Sequence, residues 1–215
     1  MFKELFGPTR PEGYYFDVPL PFLCALSMVQ TTDLTFVRHG ETIANATGKY
    51  NSQTIDTFSK KGQDQVARLT RDLLTERPYD VILVSPSPRA MNSIAPFLRT
   101  KGKVAIVWPL LYECCTEKRP PNAKATSFKF GVKIAIPSAI SGQLVLSQPG
   151  AQYPAPKGYN EGLAQVAASV AEFKKKYLGK RVLIVGHSGA GGQFIKAFTG
   201  KAIRLENASP VKFRF

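Results

Sequence analysis

Histidine is scarce in this chain: its 215 residues include two, His39 and His187. Cysteine is nearly as rare, and the three present, Cys24, Cys114 and Cys115, are odd in number with two of them adjacent. That excludes a disulfide framework, and the absence of any C-x-x-C pair excludes zinc-ligand spacing. A reducing, cytoplasmic compartment is the expectation. With so little histidine and no clustered carboxylate, neither a metal nor a cofactor is expected. No G-x-x-x-x-G-K-[ST] phosphate loop and no internal repeat occurs. The most apolar stretch, Val18 to Val29, is short and interrupted by Pro19 and Pro21, so no membrane span is expected. Residues 1–32, with prolines at 8, 11, 19 and 21, read as an N-terminal extension; a cleaved targeting segment is the alternative.

Acid is also in short supply. Fifteen Asp and Glu face 29 Lys and Arg, a formal net charge of +14. The excess is concentrated from Lys174 to Phe215, where Glu206 is the sole acid. Such a field attracts anions, among them phosphorylated metabolites and nucleic acid. No recognisable nucleic-acid-binding module accompanies it, so a specific nucleic-acid partner is not expected.

Apolar runs alternate with amphipathic stretches. Asp33 to Arg38, Val81 to Val84, Val104 to Val107 and Arg181 to Val185 read as buried strands. Ser59 to Glu76 reads as a helix with Ser59 as N-cap and Val66, Leu69, Leu73 and Leu74 on one face. Arg89 to Arg99 reads as a helix that Pro96 would kink. Asn160 to Leu178 reads as a helix with Leu163, Val166, Ala167, Val170 and Phe173 facing inward, and Gln193 to Phe198 starts another. Between about 114 and 157 the pattern dissolves into an irregular insertion, with a short strand expected at Val132 to Ile136. This alternation predicts one α/β domain over 33–215, a three-layer α/β/α arrangement with a mostly parallel central sheet. Ligands bind such sheets beyond the carboxyl ends of their strands.

The polar residues fall where that rule requires them. Both histidines directly follow buried-strand patterns. Arg38 precedes the first, Arg89 lies just past VILV, and the third strand runs on toward Glu113. Two His, two Arg and a carboxylate on one rim suit phosphoryl transfer. Arginine forks hold the equatorial oxygens, and a neutral imidazole can attack phosphorus. A second histidine can stabilise developing charge, while a carboxylic acid protonates the leaving oxygen.

Rival chemistries fail on spacing. Gly186-His187-Ser188-Gly189-Ala190 comes one residue short of the G-x-S-x-G elbow, and no histidine follows Ser188 to serve as its base. Six residues beyond Cys24, Cys114 and Cys115 stand Gln30, Pro120 and Pro121. None supplies the arginine that a cysteine phosphatase needs. No two aspartates are two apart, which removes an Asp-x-Asp site.

Leu34 to Asn45, LTFVRHGETIAN, resembles the R-H-G-E signature of the histidine phosphatase superfamily, the phosphoglycerate mutase-like proteins. Ser85-Pro86-Ser87-Pro88-Arg89-Ala90 resembles its S-P-x-x-R-A element, with Ser93 where threonine is usual. Leu111-Tyr112-Glu113 matches its L-x-E acid, and His187 its second histidine. The resemblance implies a phosphoglycerate mutase-like fold in which His39 becomes phosphorylated. Arg38, Arg89 and His187 would hold the phosphoryl group, and Glu113 would act as the acid. It further implies phosphate contacts from Asn45 and from Ser188, which stands where glycine is common. The sequences after the acid and after His187 depart from the mutase branch, which favours a phosphatase over a phosphoglycerate mutase-type phosphotransferase. A non-catalytic module that binds a phosphorylated ligand is the remaining alternative. The insertion carries Lys118, Arg119, Lys124, Lys129 and Lys133 against Glu117, suited to a phosphorylated small molecule or a phosphopeptide.

Overall fold

A computed structural model describes residues 31–115, 129–155, 158–201 and 203–215. Residues 1–30, which make up most of the expected extension, and Lys118, Arg119 and Lys124 lie outside the described residues.

Among the described residues, six strands form one sheet: β1 (Asp33–Arg38), β2 (Val81–Val84), β3 (Ala105–Val107), β4 (Leu144–Leu146), β5 (Arg181–Gly186) and β6 (Pro210–Arg214). Their order is β4-β3-β2-β5-β1-β6, parallel throughout except for β6, which runs antiparallel to β1 at one edge. The helices are α1 (Ile43–Thr47), α2 (Lys60–Thr75), α3 (Pro88–Lys101), α4 (Tyr159–Tyr177) and α5 (Ser188–Thr199).

The strands read as unbroken apolar runs because both faces of the sheet are covered. Val37, Ile82, Val84, Leu183 and Val185 pack with Leu69, Leu73, Met91, Ile94 and Leu98 of α2 and α3. Leu34, Phe36, Leu83, Val182 and Ile184 point the other way, onto Val166, Phe173, Phe194 and Ile195 of α4 and α5. The result is the expected three-layer α/β/α arrangement.

Ser59 caps α2, its hydroxyl accepting from the Gly62 backbone N–H at 2.9 Å. Pro96 is accommodated inside α3, which runs on to Lys101. Three expectations need correction. Ala167 is exposed on α4, where the buried stripe passes through Gln165, Val166, Ser169 and Val170 instead. The strand expected at Val132 to Ile136 reduces to one bridge, Lys133 to Gln152, and the edge strand from this region is β4. Its three residues are too short a run to show alternation. The last helix begins at Ser188 rather than Gln193, because its first turn is built from small residues without an apolar period.

The glycines around His187 have a packing reason. A Cβ on Gly191 would lie 2.5 Å from the Phe36 ring, and one on Gly186 3.0 Å from it. Phe36 is fully buried between β5 and the start of α5, so position 191 needs glycine for close approach and Gly186 leaves little room for a side chain.

Candidate active site

Register brings the two histidines together. β1 and β5 are parallel neighbours with Arg38 opposite Gly186, so the next residues, His39 and His187, leave adjacent strands side by side. Their ring centroids are 5.2 Å apart at an interplanar angle of 65°. β2 flanks β5 on its other side, and Ser85, one residue beyond Val84, reaches His187 Nε2 at 2.7 Å.

Hydrogen bonding sets each imidazole. His39 Nδ1 lies 2.8 Å from the Gly40 carbonyl, which can only accept, so Nδ1 carries the proton. Nε2 of His39 therefore presents its lone pair, and Arg89 Nε donates to it at 3.3 Å. A guanidinium has no acceptor, so the 3.4 Å contact from Arg89 Nη2 makes His187 Nδ1 the acceptor and Nε2 the donor to Ser85. Burial, then the Arg89 charge, holds both imidazoles well below their ordinary value. Both are neutral near pH 7.

Arg89 is buried in the first turn of α3, and Asp56 fixes it. The Asp56 carboxylate accepts from the Arg89 backbone N–H at 3.3 Å and from Nη1 at 3.0 Å. Ser93, one turn later, donates to the Arg89 carbonyl at 2.7 Å and accepts from the Gly40 N–H at 2.9 Å, tying α3 to the loop after His39. Asn207 completes the frame, donating to the His39 carbonyl at 2.8 Å. Arg38 reaches the Leu205 carbonyl at 3.1 Å through Nη1, whereas its Nε is buried with no hydrogen-bond partner among the described residues. A buried guanidinium N–H in that condition is costly and suits a site built for an anion.

Glu113 does not sit at a strand end. β3 stops at Val107, a 3₁₀ turn over Pro109–Leu111 follows, and Gln165 of α4 donates to the Leu110 and Tyr112 carbonyls at 3.1 and 2.9 Å. This fastening delivers the Glu113 carboxylate to the N-terminus of α5. There it accepts from the Ala190 N–H at 2.9 Å. Burial raises its pKa, opposed by the backbone N–H groups of Ala190 and Gly189 and by Arg89.

Tyr112 and Tyr153 wall one side. Their rings are 5.0 Å apart, Tyr112 stands edge-on to His187 at 6.3 Å, and the Tyr153 hydroxyl donates to the Pro86 carbonyl at 3.0 Å. Among the described residues, no group of three or more His, Cys, Asp or Glu side chains could hold a metal ion.

Residues 34–119 match the model of the histidine phosphatase superfamily (branch 1). Over that stretch the chain is similar to the histidine phosphatase superfamily. The superfamily match spans Arg38, His39, Arg89 and Glu113 and stops short of His187, which the sheet register supplies. Solved structures share the fold. An alpha-ribazole phosphatase from Shigella flexneri superposes with a TM-score of 0.58 at 21% identity, covering 84% of this chain and 89% of that one. A mycobacterial glucosyl-3-phosphoglycerate phosphatase, solved in complexes with VO3, gives 0.56 at 20%, covering 84% and 91%. A phosphoserine phosphatase mutant from Entamoeba histolytica, in complex with phosphoserine, gives 0.52 at 15%, covering 85% and 90%. No curated protein matches the chain by sequence.

The structure gathers His39, Arg89 and His187 through direct contacts, with Glu113 at the start of the same helix that His187 caps. It leaves Asn45 engaged locally. The Asn45 carboxamide oxygen accepts from the Thr42 N–H at 3.2 Å in a capping box for α1, and its nitrogen lies 3.4 Å from the Tyr50 hydroxyl. Ser188 is half-buried in the first turn of α5. Asp56 was not anticipated. It lies in a turn-rich stretch between α1 and α2 where no periodicity marks it.

Proposed function

We propose that this chain is a metal-independent phosphomonoester hydrolase acting through a phosphohistidine at His39. One observation carries the reading: His39 is locked with Nδ1 protonated, and its Nε2 lone pair faces Arg89 beside the second histidine. An incoming phosphoryl group offers better acceptors than imidazole and takes over the Arg89 donors, which frees Nε2 for in-line attack. Arg38, Arg89 and His187 hold the equatorial oxygens, with Asn45 and Ser188 as further contacts. Such preorganised charge supplies the largest share of rate enhancement in many enzymes. Glu113, whose pKa burial raises, gives its proton to the leaving oxygen. Its carboxylate then activates the water that releases phosphate from His39.

Residues 33–215 form the catalytic domain, and a reducing, cytoplasmic compartment agrees with the free thiols of Cys114 and Cys115. The substrate class is a phosphorylated small molecule or phosphopeptide, admitted past Tyr112 and Tyr153. The test is phosphate release from p-nitrophenyl phosphate in EDTA, with His39→Ala as control. Release that survives the chelator and vanishes in the variant supports the reading; equal release from both proteins removes His39 from it.

A further inference from the structure

Directly after Glu113 comes a pair of thiols that the proposed chemistry does not use. Cys114 Sγ and Cys115 Sγ are 2.8 Å apart. Cys114 is buried and donates toward the Gly162 carbonyl at 3.4 Å, while Cys115 is half-buried and within reach of small solutes. Cys115 adopts a positive φ of 62°, a conformation that L side chains rarely take. The facing helix is fitted to the pair. A Cβ on Gly162 would lie 2.9 Å from Cys115 Sγ and 3.1 Å from both Cys114 Cβ and the Cys115 nitrogen. Glycine inside a helix costs about 0.5–1 kcal/mol relative to alanine, and here it leaves the space the two cysteines occupy.

The pair is also joined to the acid. Glu113 Oε1 accepts from the Cys114 backbone N–H at 3.1 Å as well as from Ala190. Any change in the Cys114 backbone moves one of the donors that hold this carboxyl group.

We propose that Cys114 and Cys115 form a reversible vicinal disulfide that displaces Glu113, a redox modification site next to the leaving-group acid. The effect on turnover rests on the phosphatase reading given above. With a peroxide as oxidant, the Cys115 thiolate attacks one peroxide oxygen and the O–O bond breaks. Hydroxide leaves and takes up the thiol proton as water, and Cys115 becomes a sulfenic acid. The Cys114 sulfur then attacks the Cys115 sulfur, the S–O bond breaks, and a second water leaves with the Cys114 proton. Two thiols thus lose two electrons and two protons, and one peroxide becomes two waters.

The Cys114 side chain in contact with it holds Cys115 below the ordinary thiol range, and Cys115 is the less buried of the two, so it is the thiol that attacks first. Adjacent Cα atoms are about 3.8 Å apart across a trans peptide, closer than the roughly 4.4–6.8 Å of ordinary disulfides. The ring is therefore strained and easily reduced, as a switch requires and a structural crosslink does not.

The experiment uses the full chain carrying Cys24→Ser, so that the pair supplies its only thiols. Hydrogen peroxide is added, thiols are counted, the intact mass is recorded, and turnover is followed on two substrates. p-Nitrophenyl phosphate has a good leaving group and needs little acid, whereas glycerol phosphate needs the proton. We expect both thiols to disappear with the mass of two hydrogens, monomer retained, and dithiothreitol to restore them. Glycerol phosphate turnover should fall about 100-fold, the lower range of general acid catalysis, while p-nitrophenyl phosphate turnover changes far less. Cys115→Ser should abolish the oxidant's effect on both the ring and turnover.

Thiols that persist, or that add oxygen irreversibly, overturn the proposal. A ring that forms while both substrates respond equally, or not at all, overturns the link to Glu113. Absent turnover in the reduced protein counts against the phosphatase reading itself, and the thiol count and mass still report the ring.

Discussion

One carboxylate oxygen of Asp56 binds Arg89 twice, through the backbone N–H and through Nη1. This grip leaves Nε and Nη2 of the same guanidinium to face His39 and His187. Asp56 is thus a positioning residue, about a third exposed, whose work is done through Arg89. Asp56→Ala should lower kcat by about 10- to 100-fold, the scale on which small misplacements act, and lower the thermal transition because the buried Arg89 Nη1 loses its partner. An unaltered kcat in steady-state kinetics would show that Arg89 holds its place without help.

Rate should depend on pH with two limbs of opposite origin. Burial and the Arg89 charge hold His39 well below 6.5, so its lone pair is lost only on acidification well past that value. Burial raises Glu113 above its ordinary 4.5, so the proton it donates is lost as pH rises through that raised value. The kcat/KM profile should therefore be bell-shaped, with its acid limb from His39 and its alkaline limb from Glu113. Glu113→Gln should remove the alkaline limb and leave the acid limb in place. Persistence of the alkaline limb in that variant would assign it to another group.

The buried, unpartnered Nε of Arg38 and the forked donors of Arg89 predict a measurable anion response. Inorganic phosphate or vanadate should raise the unfolding midpoint, by an amount corresponding to about 2.7 kcal/mol at a hundredfold excess over Kd. In Arg89→Ala the shift should vanish. A shift of equal size in that variant would place the anion elsewhere on this basic surface.

Much of the arrangement was readable from sequence because His39, His187 and the turn into α3 follow strand ends. Buried parallel strands show as apolar runs, so the residues just beyond Arg38, Val84 and Val185 could be placed on one rim before any coordinates. Legibility failed where position depends on contacts between distant segments. Asp56 faces Arg89 across 33 residues of sequence, and Glu113 reaches α5 only because Gln165 fastens the segment before it. The capping box in which the Asn45 carboxamide oxygen takes part was likewise not evident from its motif position. Ala167 was misplaced because Gln165 and Ser169, though polar, share the buried face of α4 by bonding to nearby carbonyls.

Two glycines allow close packing beside the candidate site. A Cβ on Gly62 would lie 1.9 Å from the Glu41 carbonyl oxygen, a backbone atom in the loop after His39. On Gly191 it would meet the Phe36 ring at 2.5 Å and Leu205 at 2.8 Å, both fully buried. Overpacking of this kind typically costs about 1–3 kcal/mol, and occasionally more. Gly62→Ala should fall at or above the top of that range because backbone cannot rotate away, and it should depress activity as the His39 loop shifts. Gly191→Ala should cost less, since the Phe36 ring and Leu205 can share the displacement. Denaturant unfolding of the two variants orders them; a larger loss for Gly191→Ala would show that the core around Phe36 is more rigid than the His39 loop.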